Sequence, residues 1–184
     1  MAELKESPSQ TAGPYVHIGC VPTFAGLEGM YGGQDLGAKM ITGDPAGERI
    51  TLSLRVIDAA GDPMTDAMIE LWQAGPDGRY GGTAGFSHWG RQPTHAETGE
   101  AVFETLVPGA PQGQAPHFFL WIAARGINMA LMTRVYLPEN DNSADPVFAL
   151  AKDRAPTLVA EKTPTGYTHT IHLRGENETV FFDV

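Results

Sequence analysis

Apolar and polar residues alternate in several short segments of this chain. The segments comprise residues 50–58, 67–73, 101–107, 129–137, 168–174 and 179–183. Because successive side chains of a β-strand point to opposite faces, alternation predicts strands that have one face against a core. In the first segment the inward residues are Leu52, Leu54 and Val56. The pattern therefore predicts a fold built mainly from short strands.

Residues 115–126 depart from this alternation because they are almost continuously apolar and aromatic. We expect a strand that is buried on both faces near the middle of a sheet. His117 and Phe119 share one face of that strand, at two positions where a pair of histidines could begin a metal site. Phe119 has no lone pair to donate, so the second ligand position is filled by hydrocarbon. Arg125 ends the strand as a charge that leaves a buried segment.

Turn-forming residues separate these segments, since the 184 residues include 22 glycines and 14 prolines. Helical patterns occur only in residues 146–152 and 156–162, and both are short. The fold class is therefore all-β: an antiparallel β-sandwich or an open barrel, with about seven or eight strands and one or two short helices. Long irregular loops are expected at residues 20–49 and 81–98.

The length suits a single domain over residues 1–184. An N-terminal arm, about residues 1–19, is dense in turn formers yet carries Tyr15. Gly13 and Pro14 favour an extended or turned backbone there. Composition alone favours an arm that packs on its own sandwich over one that reaches a partner.

Charge and motifs exclude several classes of function. The formal net charge is −10, and no basic patch typical of nucleic-acid binding is visible. The beginning of the chain lacks the apolar core of a signal peptide, and no apolar run reaches the ~18 residues of a membrane span, so we expect a cytoplasmic protein. The single cysteine, Cys20, cannot form an internal disulfide. Sequence patterns for nucleotide phosphate loops, zinc proteases and serine hydrolases are absent.

Five stretches together resemble one family, the intradiol aromatic-ring dioxygenases. They are residues 9–15, 70–80, 115–117, 124–128 and 175–183, in order along nearly the whole chain. The likeness is greatest to the alpha chain of a two-chain member. The family's fold is a β-sandwich with a Gly/Pro-rich arm, in agreement with the strand pattern.

The resemblance implies that this chain holds no iron. Catalytic chains of the family bind non-haem Fe(III) through two tyrosines and two histidines that alternate on a strand. Here His117 matches one histidine, Phe119 stands at the other, and the loop segments 81–95 and 108–111 contain no tyrosine. Tyr80 matches a position near, but not at, a ligand tyrosine. We therefore expect no catalytic residue in this chain alone, and Fe(III) on a homologous beta chain.

The resemblance also implies a role for the arm. Carried over by position, the residues that line the cavity above the partner's iron are Thr11, Gly13, Pro14, Tyr15 and Arg125. The expected reaction converts 3,4-dihydroxybenzoate and O2 to 3-carboxy-cis,cis-muconate in a larger hetero-oligomer, with neither nucleic acid nor membrane as a partner. The arm residues could wall the aromatic ring. Arg125 could attract its carboxylate.

Two other readings compete with this one. A stand-alone β-sandwich binding module, for instance a transthyretin-like one, would need no metal. A self-contained metalloenzyme would use His88, His95 or His117. His88 and His95 lie seven residues apart in a polar loop, which favours solvated side chains over ligands.

Overall fold

Two four-stranded β-sheets pack face to face in the computed structural model, which describes residues 11–183. The strands are β1 (Arg49–Ile57), β2 (Met68–Gln73), β3 (Trp89–Pro93), β4 (Glu100–Leu106), β5 (His117–Ala123), β6 (Leu131–Tyr136), β7 (Glu161–Thr163) and β8 (Gly166–His172). The order is β4-β1-β8-β7 in one sheet and β3-β2-β5-β6 in the other. The sandwich prediction is confirmed, and the barrel alternative is wrong.

The core between the sheets follows the predicted alternation. Leu52, Leu54 and Val56 of β1 are fully buried, as are Leu71 of β2 and Leu120 of β5. Each alternating strand thus contributes one apolar face, whose removal from water is the main stabilising contribution to the fold.

Strand β5 lies in the interior of its sheet, between β2 and β6, as predicted. Its inward residues Phe118 and Ile122 are fully buried. On the outward face His117 and Ala123, at the two ends of the strand, are buried, whereas Phe119 and Trp121 between them are half-buried. Burial on both faces therefore holds at the ends of the strand and not at its middle.

The sheets are not wholly antiparallel, because β1 and β8 pair in parallel. Within 81–98, predicted to be irregular, β3 forms by pairing with the edge of β2. Residues 179–183 form no strand. Thr179 donates to the His172 carbonyl and Phe182 to the Met132 carbonyl, so the segment bridges both sheets instead of following one.

The helices also differ from the prediction. Helix α1 (Pro14–Cys20) forms in the arm, with Gly13 as its N-cap. Helix α2 (Pro146–Leu150) confirms the first helical pattern, but a 3₁₀ helix ends at Leu158 and the rest of 156–162 turns into β7. Within residues 11–183, no helix combines the length and apolar character needed to cross a bilayer.

Candidate functional site

His117 begins β5 and is buried on the face that points away from the core. Its Nδ1–H donates to the Ala115 carbonyl oxygen at 2.9 Å. Since a carbonyl can only accept, Nε2 is the nitrogen with the free lone pair. Tyr136 of β6 pairs with His117 across the sheet, and the two rings lie 5.6 Å apart. Phe119 shares this face and pairs with Arg134.

Arg134 brings a guanidinium into this group of residues. Its Nη1 donates to Gln114 Oε1 at 2.7 Å and to Tyr136 Oη at 3.3 Å. The same nitrogen lies 3.6 Å from Asp145 Oδ2, whose side chain is fully buried. Asp145 also caps α2 through Oδ1, which fixes the position of its carboxylate. A buried cation and a buried anion therefore stabilise one another beside His117.

Burial sets the protonation of the site. Burial and, to a smaller extent, the Arg134 charge lower the pKa of His117 to about 4, although the hydrogen bond to Ala115 and the Asp145 charge oppose the shift. Burial raises the pKa of Tyr136 to about 12 and also raises the pKa of Tyr80, although Arg134 opposes both shifts. At neutral pH the imidazole is uncharged and both phenols keep their protons.

This arrangement does not fit a ferric ion. Fe(III) is a hard cation that prefers anionic oxygen ligands, whereas the phenols of Tyr80 and Tyr136 stay protonated. Arg134 already supplies a positive charge there. Across residues 11–183, no group of three or more His, Cys, Asp or Glu side chains could hold a metal ion.

The other candidate ligands are differently placed. His88 is buried, with its ring 4.7 Å from that of Phe86, so the expectation of a solvated side chain is wrong for His88. His95 is exposed, as expected. The structure offers no support for a metal centre built on either histidine.

A second site forms where the N-terminal arm meets the turn after β5. Thr11 Oγ1 accepts a hydrogen bond from Gly126 N–H at 2.7 Å. Gly126 has φ of 85°, a conformation that glycine adopts without strain. Gly13 and Arg125 line one cavity of about 410 Å³ here, together with Asp66 and several apolar arm residues. Three of the five predicted lining residues thus come together.

Arg125 and Asp66 form an ion pair at the edge of this cavity. Arg125 Nε lies 3.1 Å from Asp66 Oδ2, and the Arg125 side chain is 78% exposed. A pair this exposed contributes about 0–1 kcal/mol to stability, so its main effect is on the orientation of the guanidinium. Because Nε makes this contact, the two Nη groups are the part of the fork that a ligand could bind.

Tyr15 is not among the residues that line the cavity. It lies on α1 and is 84% exposed. Pro14 occupies the first turn of the same helix, and its side chain lies outside the description, as do residues 1–10. The described part of the arm is held on its own sandwich through Thr11 and, directly after the arm, through the Cys20 carbonyl, which accepts from Arg91 at 3.2 Å.

Sequence reasoning missed Asp66, Arg134, Tyr136 and Asp145. Two signals could have found part of this set. A short hairpin between β5 and β6 places a basic residue of β6 opposite Phe119. Asp145 directly before Pro146 is a typical helix start, which locates a buried carboxylate near that hairpin. Nothing in the sequence around Asp66 indicates that it pairs with Arg125.

Comparisons with known proteins agree with this architecture. A family model described as Dioxygenase matches residues 22–175. The protocatechuate 3,4-dioxygenase alpha chain of Pseudomonas putida is 36% identical, covering 98% of this chain and 97% of that protein. The beta chain from Burkholderia cepacia is 32% identical, covering 82% and 78%. The solved dioxygenase domain of a carbohydrate-binding fusion protein from Streptomyces sp. SirexAA-E superposes with a TM-score of 0.56 at 27% identity, covering 73% and 84%.

Proposed function

Because this chain belongs to the intradiol ring-cleavage dioxygenase family, we propose that it is the iron-free alpha subunit of a protocatechuate 3,4-dioxygenase. Its partner is a homologous beta chain that holds Fe(III). The reaction breaks the bond between the two hydroxyl-bearing carbons of 3,4-dihydroxybenzoate and adds one atom of O2 to each, which gives 3-carboxy-cis,cis-muconate. Activation of the bound catecholate is the chemistry that the partner's iron would supply.

The observation that carries this proposal is the contrast between the two sites. The residues around His117 do not fit the metal, so the chemistry requires another chain. Gly13 and Arg125 nevertheless line one cavity, and Thr11 binds the turn beside it, at positions where the resemblance places substrate-lining residues. A chain without the iron ligands but with residues that line the substrate cavity has the properties expected of an alpha subunit.

Exposed apolar side chains in and after the arm support a partner chain. Within the N-terminal segment, defined here as residues 11–36, the exposed large side chains are Tyr15, Phe24, Leu27, Met30, Tyr31 and Leu36. A concentration of apolar surface in one segment is typical of an interface. In this proposal the beta chain covers Tyr15, which then walls the aromatic ring of the substrate.

Arg125 contributes the positive charge of the shared cavity. Asp66 holds the guanidinium through Nε, and the Nη groups attract the carboxylate of 3,4-dihydroxybenzoate. Catechol has no carboxylate, so it gains nothing from this interaction. The substrate preference of the complex is therefore partly a property of this chain.

The test is R125A in the alpha–beta complex. We expect kcat/KM for 3,4-dihydroxybenzoate to fall about tenfold or more, equal to ~1.4 kcal/mol of transition-state stabilisation, with a much smaller loss for catechol. The difference should shrink as salt rises if the charge acts by steering. R49A is a matched control, since Arg49 also forms an exposed pair, with Asp44 at 3.0 Å.

Equal losses for both substrates, or a loss that follows weaker assembly, would reduce Arg125 to an interface residue. Iron analysis of the chain purified alone and with a beta chain tests the wider proposal. Iron is expected only in the complex. Iron in the isolated chain would support a self-contained metalloenzyme, and its absence from both would support a stand-alone binding module.

A further inference from the structure

Arg134 is surrounded by groups that elsewhere bind metal ions. An imidazole, a carboxylate and two phenols belong to this surrounding: His117, Asp145, Tyr136 and Tyr80. Carboxylate, phenol and imidazole are common ligands of transition metals. In this chain these groups lie around the guanidinium of Arg134 instead of a metal ion.

The guanidinium is held in place from several directions. Gln114 Oε1 at 2.7 Å, Tyr136 Oη at 3.3 Å and Asp145 Oδ2 at 3.6 Å all lie around one nitrogen, Nη1. The Arg134 side chain is only 16% exposed, and that of Asp145 is fully buried. Asp145 also accepts backbone N–H hydrogen bonds from Ala115, Val147 and Phe148. The Arg134 guanidinium adds a positive charge beside this buried carboxylate, and loss of that charge is unfavourable.

Phe119, which stands where the family has a histidine ligand, lies opposite the cation of Arg134. Phe119 and Arg134 are direct cross-strand partners on neighbouring strands. A second cation placed between them would meet the Arg134 charge at short range in a poorly solvated setting, where like charges repel strongly. Hydrocarbon at residue 119 and a guanidinium at residue 134 therefore act against metal in two separate ways.

We propose that the guanidinium of Arg134 is a built-in cation that takes the place of a metal ion in this site and excludes metal from it. Restoring a ligand at residue 119 is then insufficient, because the positive charge remains. Removing the charge as well should open the site.

The test measures Zn²⁺ binding to the full-length chain by calorimetry. Zn²⁺ suits two histidines and a carboxylate, and it does not change oxidation state. The variants are F119H, F119H/R134Q and the matched control F119H/R134K, which keeps the charge. We expect F119H/R134Q to bind Zn²⁺ at least about tenfold more tightly than the other two. Adding H117Q to it should abolish the gain.

Each outcome decides the matter. Tight binding by F119H alone, or by F119H/R134K, would overturn the proposal, as would a folded F119H/R134Q that binds no better than F119H. Circular dichroism shows which variants fold. If F119H/R134Q folds only when Zn²⁺ is present, or fails to fold while F119H/R134K folds without metal, the requirement for a cation is supported directly.

Discussion

Large apolar side chains have opposite surroundings in the sandwich core and in the N-terminal segment. Leu120 of β5 is fully buried between the two sheets, whereas Leu27 is 43% exposed. The core is completed by residues of this chain alone. The N-terminal segment is anchored at Thr11 and Cys20 but leaves much of its apolar surface uncovered.

The core residues therefore determine the fold, whereas the exposed residues of the N-terminal segment are available for binding a partner. In the core, apolar residues pair with other apolar residues of the same chain, so the strand pattern is sufficient to place them. In the N-terminal segment the described residues cover the corresponding surface only in part, and we propose that the partner covers the rest. The two regions should therefore respond differently to the same substitution.

The largest expected effect comes from truncating a core leucine. L120A should lower the free energy of unfolding by about 2–5 kcal/mol, because it leaves a cavity between the sheets. L27A, its match in the N-terminal segment, should change this quantity by no more than about 0.5 kcal/mol. Urea unfolding of the isolated chain measures both.

The effects of these two substitutions on binding of the beta chain should have the opposite order. L27A should weaken binding of the beta chain more than a folded core variant does, as measured by light scattering. A large loss of stability from L27A would show that the N-terminal segment belongs to the core, and the comparison would fail.

A second effect concerns buried histidines. Burial lowers the pKa of both His117 and His169 to about 4. Between pH 6.5 and pH 4 the unfolded chain takes up these protons and the folded chain does not, so stability falls as pH falls. Each histidine accounts for up to about 3 kcal/mol of that loss, since one pKa unit equals about 1.4 kcal/mol.

H169Q removes one of these groups and should flatten the profile of unfolding free energy against pH. H95Q is the control, because His95 is exposed on a loop. If H169Q and H95Q change the slope equally, burial is not the cause of the acid sensitivity.

The smallest expected effect concerns the anchor of the arm. T11V removes the acceptor of the Gly126 N–H, a hydrogen bond of about 1 kcal/mol, and should speed amide exchange at Gly126 about fivefold. T11S keeps the oxygen and should preserve the protection. Equal exchange in the two variants would mean that contacts other than this bond hold the arm.

The local alternation of apolar and polar residues was sufficient to predict most strands, but it did not predict which strands pair with one another. The alternation in β1 and β4 is visible in the sequence because one face of each strand is buried. Strand β3 contains Gly90 and Pro93 and has no such alternation. It becomes a strand because it pairs with β2, where Arg91 and Glu70 form an ion pair at 2.6 Å. Pairing between distant segments leaves no local signal.

The same limit applies to the site. His117 and Arg125 could be singled out because each interrupts an apolar strand. Arg134 looks like an ordinary outward-facing residue of β6 until the register sets it against Phe119. Gly13 followed by Pro14 predicts an extended or turned backbone, but the same pair also begins helices, and α1 starts there.

The parallel pairing of β1 with β8 has a consequence for how the chain reaches its native state. Thr51 near the beginning of β1 pairs with Gly166, more than a hundred residues later in the chain, so the first sheet cannot close until β8 has been synthesised. Folds dominated by such distant contacts fold slowly, commonly in milliseconds to seconds. The N-terminal segment is synthesised well before β8, so its apolar side chains stay exposed while the sheet is incomplete, a condition that favours aggregation of partly folded chains.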